Sequence, residues 1–146
     1  MYMKQQVLCV LFGLFFSLSA CADRKEVITF AQLPQAAQDA ISQNFNAANI
    51  SYVTKESGWS NEFEVRFTDG VEIEFDGDGA LKKVDCKANA VPEALIPAEV
   101  LSYVKMTFPN AFIKEWGQDD GGYKAELNNG LDLKFDKSYR FQRIDD

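Results

Sequence analysis

The hydrophobic positions of the chain follow two spacings in turn, and this order occurs twice. Apolar residues first recur at every fourth position, which places them along one side of a helix of about three turns. The spacing then changes to every second position, which is typical of strands with one buried face. The pattern therefore predicts a helix followed by antiparallel strands in each half. The helical positions are Leu33, Ala37, Ile41 and Phe45, and then Ile96, Val100, Val104 and Phe108.

The alternating segments predict β-hairpins with short turns. Alternation runs on either side of Asp69-Gly70 and again on either side of Asn129-Gly130. An Asp-Gly or Asn-Gly pair between alternating runs is the strongest short signal for a hairpin. Each half is thus expected to contain one helix and four strands. The further strands, outside the hairpins, are predicted at 50–55 and 81–85, and at 113–117 and 141–145.

The two halves correspond position by position. An offset of 63 residues aligns Leu33-Pro34 with Ile96-Pro97, and an offset of 60 aligns Phe75-Asp76 with Phe135-Asp136. A register held over so many apolar positions indicates an internal duplication. Because a unit of about 60 residues has a small core and exposed strand edges, the copies are expected to share one α+β domain. That domain would contain about eight antiparallel strands with both helices on one face. The repeats are assigned to 27–86 and 96–146, and the linker to 87–95.

The first residues predict export. Lys4 is the only charged residue before Asp23, and the apolar run of residues 7–18 has the length of a signal-peptide core. It is too short for a permanent membrane span, which needs about 20 apolar residues. Two forms of processing fit: a signal peptide of residues 1–22 cleaved before Asp23, or a lipoprotein signal of residues 1–20 with the lipid on Cys21. Both predict a protein that is exported, either periplasmic or lipid-anchored.

Charge and composition narrow the function classes. Loss of Lys4 with the leader takes the net charge from −7 to −8, which repels nucleic acids and anionic lipid surfaces. The chain contains no histidine, so it lacks the commonest general base and metal ligand, and no phosphate-binding loop is present. We therefore predict no enzyme activity and no cofactor. After processing, Cys86 is expected to be a small buried residue, and a bridge to Cys21 requires that processing leaves Cys21 free.

The strongest candidate for function is the outward face of the hairpins. Exposed aromatic residues beside such a face are typical anchors for protein recognition. Two alternatives stay open: the charged positions form an ordinary solvated surface, and Trp116 belongs to the core. Asp76-Gly77-Asp78-Gly79 lacks the later ligands of a calcium loop and is interpreted as a turn. The candidate partner-binding residues are Tyr52, Trp59, Glu62, Glu64, Arg66, Glu72, Glu74, Trp116, Lys124, Glu126 and Lys134.

Several segments of the chain resemble a known family. They are Ile73-Glu74-Phe75-Asp76, Val84-Asp85-Cys86, the run of residues 129–136, and Arg143-Ile144-Asp145. Together with the Leu-Pro start of the helix, they resemble the PepSY-like, β-lactamase-inhibitor-like family of exported Bacteroidetes proteins, over residues 27–146. The resemblance implies a concave sheet like that of the β-lactamase inhibitor protein and an envelope location. PepSY modules elsewhere are associated with peptidase inhibition.

Two hypotheses for function follow. The first is a non-catalytic envelope module that binds another protein, such as an enzyme that it inhibits, through the open sheet face. The second is a periplasmic sensor that binds a small molecule or a cation on the acidic hairpin face.

Overall fold

The computed structural model describes residues 24–145. These residues form two α-helices and nine β-strands. The helices are α1 (Gln35–Asn44) and α2 (Ala98–Thr107), with short 3-10 helices at Phe30–Gln32, Ala47–Asn49 and Glu93–Leu95. The strands are β1 (Arg24–Ile28), β2 (Ile50–Ser57), β3 (Glu62–Phe67), β4 (Glu72–Asp76), β5 (Leu81–Asp85), β6 (Ile113–Asp119), β7 (Gly122–Leu127), β8 (Asp132–Phe135) and β9 (Phe141–Asp145).

All nine strands form one sheet. They lie in sequence order, β1 to β9, and each strand is antiparallel to the next. The predicted α+β class and the antiparallel sheet are confirmed. The expected number of about eight strands was one too low, because β1 pairs with β2 at the edge of the sheet. β1 is short, largely charged and mostly exposed, so it carries no alternation that the sequence could show.

One apolar row crosses the whole sheet and forms the floor of the core. Cross-strand partners share a face, and the register aligns buried side chains from β2 to β8. These side chains form a single core cluster with Ala37 and Ile41 of α1 and with Val100 and Val104 of α2, so both helices cover the same face. The residues of the row are Val53, Val65, Ile73, Val84, Trp116, Ala125 and Leu133.

The helices begin as the sequence predicts, with a one-residue difference. Proline is favoured at the first helical position, so the Leu33-Pro34 and Ile96-Pro97 pairs predict helices that begin at these prolines, but both prolines occupy the N-cap. Proline suits this place because the N-cap contributes its carbonyl to the first helical bonds and its N–H is not needed. The Pro34 carbonyl accepts from the amides of Ala37 and Gln38.

The two halves share their irregularities as well as their element order. Gly70 and Gly130 close the predicted hairpin turns with φ of 92° and 88°, a region that favours glycine. Register shifts that mark β-bulges occur at equivalent places in the two halves, near the starts of β2 and β6 and again within the β4–β5 and β8–β9 pairs. A bulge moves the following residue to the other face, so these shifts decide which side chains are buried.

The segment between the halves is packed and not extended. The Val91 amide donates to the Ile113 carbonyl at 2.8 Å, the Cys86 amide donates to the Lys114 carbonyl at 2.9 Å, and the Val91 side chain is buried. β5 and β6 pair directly and so join the two halves within one sheet. Neither helix in the described part of the chain is long and apolar enough to cross a membrane. The predicted leader and Cys21 lie outside the described residues.

Candidate binding face of the sheet

The side of the sheet opposite the helices carries charged side chains in two neighbouring rows, which we call the polar face. Row A has mainly acids, and row B changes from acids to bases along the sheet. Row A consists of Tyr52, Arg66, Glu72, Asp85, Glu115, Glu126, Asp132 and Asp145. Row B consists of Thr54, Glu64, Glu74, Lys83, Gly117, Lys124, Lys134 and Arg143.

In the second half of the sheet, the bases of row B are neutralised by neighbouring acids. Lys124 lies 3.2 Å from Glu115 and 3.6 Å from Asp132. Lys134 pairs with Asp119 and lies 4.0 Å from Asp145. The hydrogen bond from Lys134 holds the pKa of Asp119 below its usual range. These pairs leave both of these lysines neutralised by acids on the same face.

In the first half, cations bridge the acids of the hairpin. Arg66 donates to Glu64 at 3.0 Å and also pairs with Glu72. Lys87 lies 2.6 Å from Asp85 and 2.8 Å from Glu72, and the bonds to these two carboxylates raise its pKa to about 12. The predicted charged residues therefore lie on one face, and all of them except Glu74 form ion pairs there.

The three aromatic candidates lie in different surroundings. Tyr52 is partly exposed at the end of row A, and Trp59 is fully exposed in the loop between β2 and β3. Trp116 is only 4% exposed and stacks on Tyr123 with ring centroids 5.3 Å apart. The prediction that Trp116 is a partner-binding residue on the surface was therefore wrong. The bulge at Lys114 determines on which face of the sheet Trp116 lies, and strand alternation alone does not reveal that bulge.

A cavity of about 130 Å³ lies in the polar face at the β1–β4 end, and we call it the acidic pocket. Its lining includes four carboxylates and one ammonium group. The Lys25 ammonium lies 2.6 Å from the Glu64 carboxylate, and the hydrogen bond between them is the main cause of the lowered pKa of Glu64. A hydrogen bond from Lys82 likewise lowers the pKa of Glu62. The lining residues are Lys25, Thr54, Glu56, Glu62, Phe63, Glu64 and Glu74.

A metal centre has no support in the described geometry. Within residues 24–145, no group of three or more acidic or cysteine side chains is arranged to hold a metal ion. The Asp76 carboxylate accepts from the amides of Asp78 and Ala80, both at 2.9 Å. This carboxylate therefore closes the β4–β5 turn, in agreement with the turn interpretation of Asp76–Gly79. Cys86 is buried, and burial raises the pKa of its thiol to about 11.

Comparison with known families gives a match over most of the chain. The model of the family described as "Putative beta-lactamase-inhibitor-like, PepSY-like" matches residues 20–65 and 61–143. The chain belongs to this PepSY-like family. No curated protein matches the chain significantly.

Solved structures of similar proteins agree with the fold. A "putative periplasmic protein from DUF2874 family" of Bacteroides vulgatus is 34% identical with a TM-score of 0.80, over 86% of this chain and 99% of that one. A "putative calcium-regulated periplasmic protein" of Bacteroides thetaiotaomicron is 36% identical with a TM-score of 0.78, over 84% and 97%. A third, a periplasmic protein of unknown function from B. vulgatus, is 28% identical with a TM-score of 0.73, over 84% and 100%. These neighbours support the predicted location, and the protein is exported.

Several features of the polar face of this PepSY-like protein were not predicted. A groove of about 640 Å³ lies where the two halves meet, lined among others by Lys87, Lys114 and the partly exposed ring of Phe112. Lys25 and Thr54 of the acidic pocket were also missed. Strand alternation places Thr54 on the polar face, but nothing in the sequence shows that β1 pairs with β2 beside it. The sequence therefore did not predict that β1 contributes a side chain to the acidic pocket.

Proposed function

We propose that this PepSY-like protein is a non-catalytic binding protein of the cell envelope that holds another protein against its polar face. The observation that carries the proposal is that both helices cover the opposite face, and no element of residues 24–145 packs over the polar one. Rows of fixed charges of both signs give selectivity, because a partner must present a complementary pattern. The likeness to β-lactamase inhibitors favours an enzyme as the partner, which would be inhibited by contact.

The state of the carboxylates supports a binding role over catalysis. A general acid at neutral pH needs a pKa raised toward 7. The pKa values of Glu62 and Glu64 are instead lowered, first of all by hydrogen bonds from Lys82 and Lys25. Their lysine partners therefore keep these groups ionised, as suits electrostatic recognition.

The proposal is tested by cross-linking from matched positions on the two faces. A photo-reactive amino acid replaces Tyr52 on the polar face or Met106, which is exposed on α2. After irradiation in the native envelope, we expect adducts from position 52 that mass spectrometry identifies as one protein, and none from position 106. Equal adducts from both positions, or none from position 52, would reject the polar face as the binding surface.

The partner found in this way allows a quantitative test. Lys124→Glu reverses a charge in row B, and Lys105→Glu reverses an exposed charge on α2, whose only ion pair in the described chain is with Glu93. We expect at least a tenfold loss of affinity for the first variant, since reversing one interfacial charge costs several kcal/mol, and no change for the second. If the partner is an enzyme, its activity should fall on addition of the wild-type protein and recover with Lys124→Glu.

A cation sensor is the second candidate, and two observations favour it. The B. thetaiotaomicron protein at 36% identity is described as calcium-regulated, and the acidic pocket gathers four carboxylates. Calorimetric titration of this protein with Ca²⁺ tests the candidate. Saturable heat that disappears in Glu74→Gln would support it, and a flat titration would reject it.

A further inference from the structure

The acidic pocket contains two pairs of carboxylates that face each other across strands. Glu56 of β2 lies opposite Glu62 of β3, and Glu64 of β3 lies opposite Glu74 of β4. Like charges placed directly opposite each other destabilise a sheet. Two such pairs in adjacent positions are therefore a cost to stability, and a bound cation would relieve it.

The cations of the chain neutralise only part of this pocket. Glu62 pairs with Lys82, and Glu64 pairs with Lys25 and Arg66. Glu56 and Glu74 form no ion pair with any side chain in residues 24–145, although the acids of row A from Glu72 to Asp145 all do. The pocket therefore keeps a negative charge where the rest of the polar face is neutralised.

The Thr54 hydroxyl gives an independent sign of a ligand. Thr54 lines the pocket and is only 6% exposed, and its Oγ1 has no hydrogen-bond partner in residues 24–145. The other such atom there is Nε of Arg66, whose guanidinium is bonded through Nη2. A buried hydroxyl without a partner is costly, and valine would fill the same place in a strand. The hydroxyl is suited to accept a hydrogen bond from a donor that enters the pocket.

Lys25 shows which chemical group the pocket accepts. Its ammonium lies in the pocket, 2.6 Å from Glu64, while its side chain remains 51% exposed on the edge strand. An exposed ion pair of this kind is weak and easily exchanged.

We propose that the acidic pocket receives a lysine side chain of the protein partner, and that Lys25 is an internal substitute which the partner displaces. This inference rests on the proposed function, because it names one contact of the partner with the polar face. The incoming ammonium would bind Glu64, Glu74 and the Thr54 hydroxyl, and Lys25 would be released into solvent.

The inference is tested by NMR titration of the full-length mature protein, labelled with ¹⁵N, with N-acetyl-lysinamide at low salt. N-acetyl-norleucinamide, which lacks the charge, is the control probe. We expect saturable shifts of the amides of Thr54, Glu64 and Glu74 with the first probe only. Lys25→Met should tighten binding roughly two- to fivefold, the contribution of one exposed ion pair, and Lys105→Met on α2 should leave it unchanged.

Thr54→Val separates a ligand contact from a structural role. It should weaken binding of N-acetyl-lysinamide about tenfold, since a hydrogen bond to a charged group is lost, and yet raise the melting temperature. Glu74→Gln is a second variant with the same expected direction for binding. Equal shifts with norleucinamide, or Ca²⁺ binding in the pocket without any response to lysinamide, would overturn the inference.

The two proposals fail in different ways. A pocket that gives no response to lysinamide, together with intact cross-linking from position 52, rejects the lysine site and leaves the proposed function standing. If lysinamide binds but a partner identified by cross-linking retains full affinity for Thr54→Val and Glu74→Gln, the pocket does not bind the partner's lysine.

Discussion

Row B differs between the two halves of the sheet although each half has one α-helix followed by four antiparallel strands. The first half places Thr54, Glu64 and Glu74 in this row, and the second half places Gly117, Lys124 and Lys134 at the corresponding positions. In the second half both lysines are paired with acids. In the first half Glu74 has no ion pair and Thr54 Oγ1 no hydrogen-bond partner among the described residues.

The interior of the two halves is apolar throughout, whereas this face differs in charge between them. Phe75 and Phe135 occupy equivalent buried positions, as do Ile73 and Leu133. Core positions must remain apolar for the interior to pack, even where the side chains differ in size as Val53 and Trp116 do, whereas outward positions of a strand are free to change in charge. The unequal rows therefore mark the part of the molecule in which specificity can arise, and the first half carries the features that the packing does not explain.

The largest expected effect concerns the shared interior. Phe75→Ala and Phe135→Ala each remove a buried ring, and each should lower the free energy of unfolding by about 3–5 kcal/mol. Because β5 pairs with β6 and one core cluster spans both halves, urea unfolding of each variant should remain a single transition by circular dichroism and tryptophan fluorescence.

Two separate unfolding transitions, with only one half destabilised by each substitution, would contradict this expectation. The halves would then be independent domains, and differences between their outer rows would say nothing about a common surface.

This interior was the part of the molecule that the sequence could predict. The spacing of the apolar residues predicted both helices and the strands within residues 50–85 and 113–145. The Asp-Gly and Asn-Gly pairs located the hairpin turns. Trp116 was uncertain because the bulge at Lys114 interrupts the alternation. β1 was missed since an edge strand contributes little to the core and needs no apolar pattern.

The acidic pocket could not be predicted for a related reason. Its character depends on the ammonium group of Lys25 in β1, which reaches Glu64 of β3, and these two residues are distant in sequence. Strand alternation reveals which face a side chain occupies, but it does not reveal which strand covers the edge. The face was therefore predictable as a set of outward positions, and its neutralised and unneutralised parts were not.

A smaller effect is expected at the turns. A methyl group at Gly79, where φ is +86°, would lie 2.7 Å from Pro34 Cβ and 3.1 Å from the Ala37 amide nitrogen of α1. At Gly130, with φ of +88°, nothing lies within 4 Å. Gly130→Ala should cost about 1–2 kcal/mol for the left-handed backbone alone, and Gly79→Ala should cost more, because α1 must shift. Urea unfolding of both variants measures the difference.

Equal losses for these two variants would show that α1 adapts without cost. That result would weaken the claim that the helix fixes the position of the β4–β5 turn.

The smallest expected effect compares one ion pair from each half. Lys134→Met removes the lysine that pairs with Asp119, whereas Lys25→Met leaves Glu64 with Arg66 at 3.0 Å. Both variants should lose less than about 1 kcal/mol at neutral pH, and the loss should be larger for Lys134→Met, whose side chain is also less exposed.

The pH dependence of this difference gives the sharper test. The pKa values of Glu64 and Asp119 are lowered in the folded protein, chiefly by these lysines, against unfolded values of about 4.3 and 3.9. The stabilisation is therefore complete above those values and is lost as the pH falls through the folded pKa. The deficits of both variants should vanish in acid and shrink at high salt. Deficits that persist in acid would arise from packing, and the contrast between the two halves of row B would then lack its electrostatic basis.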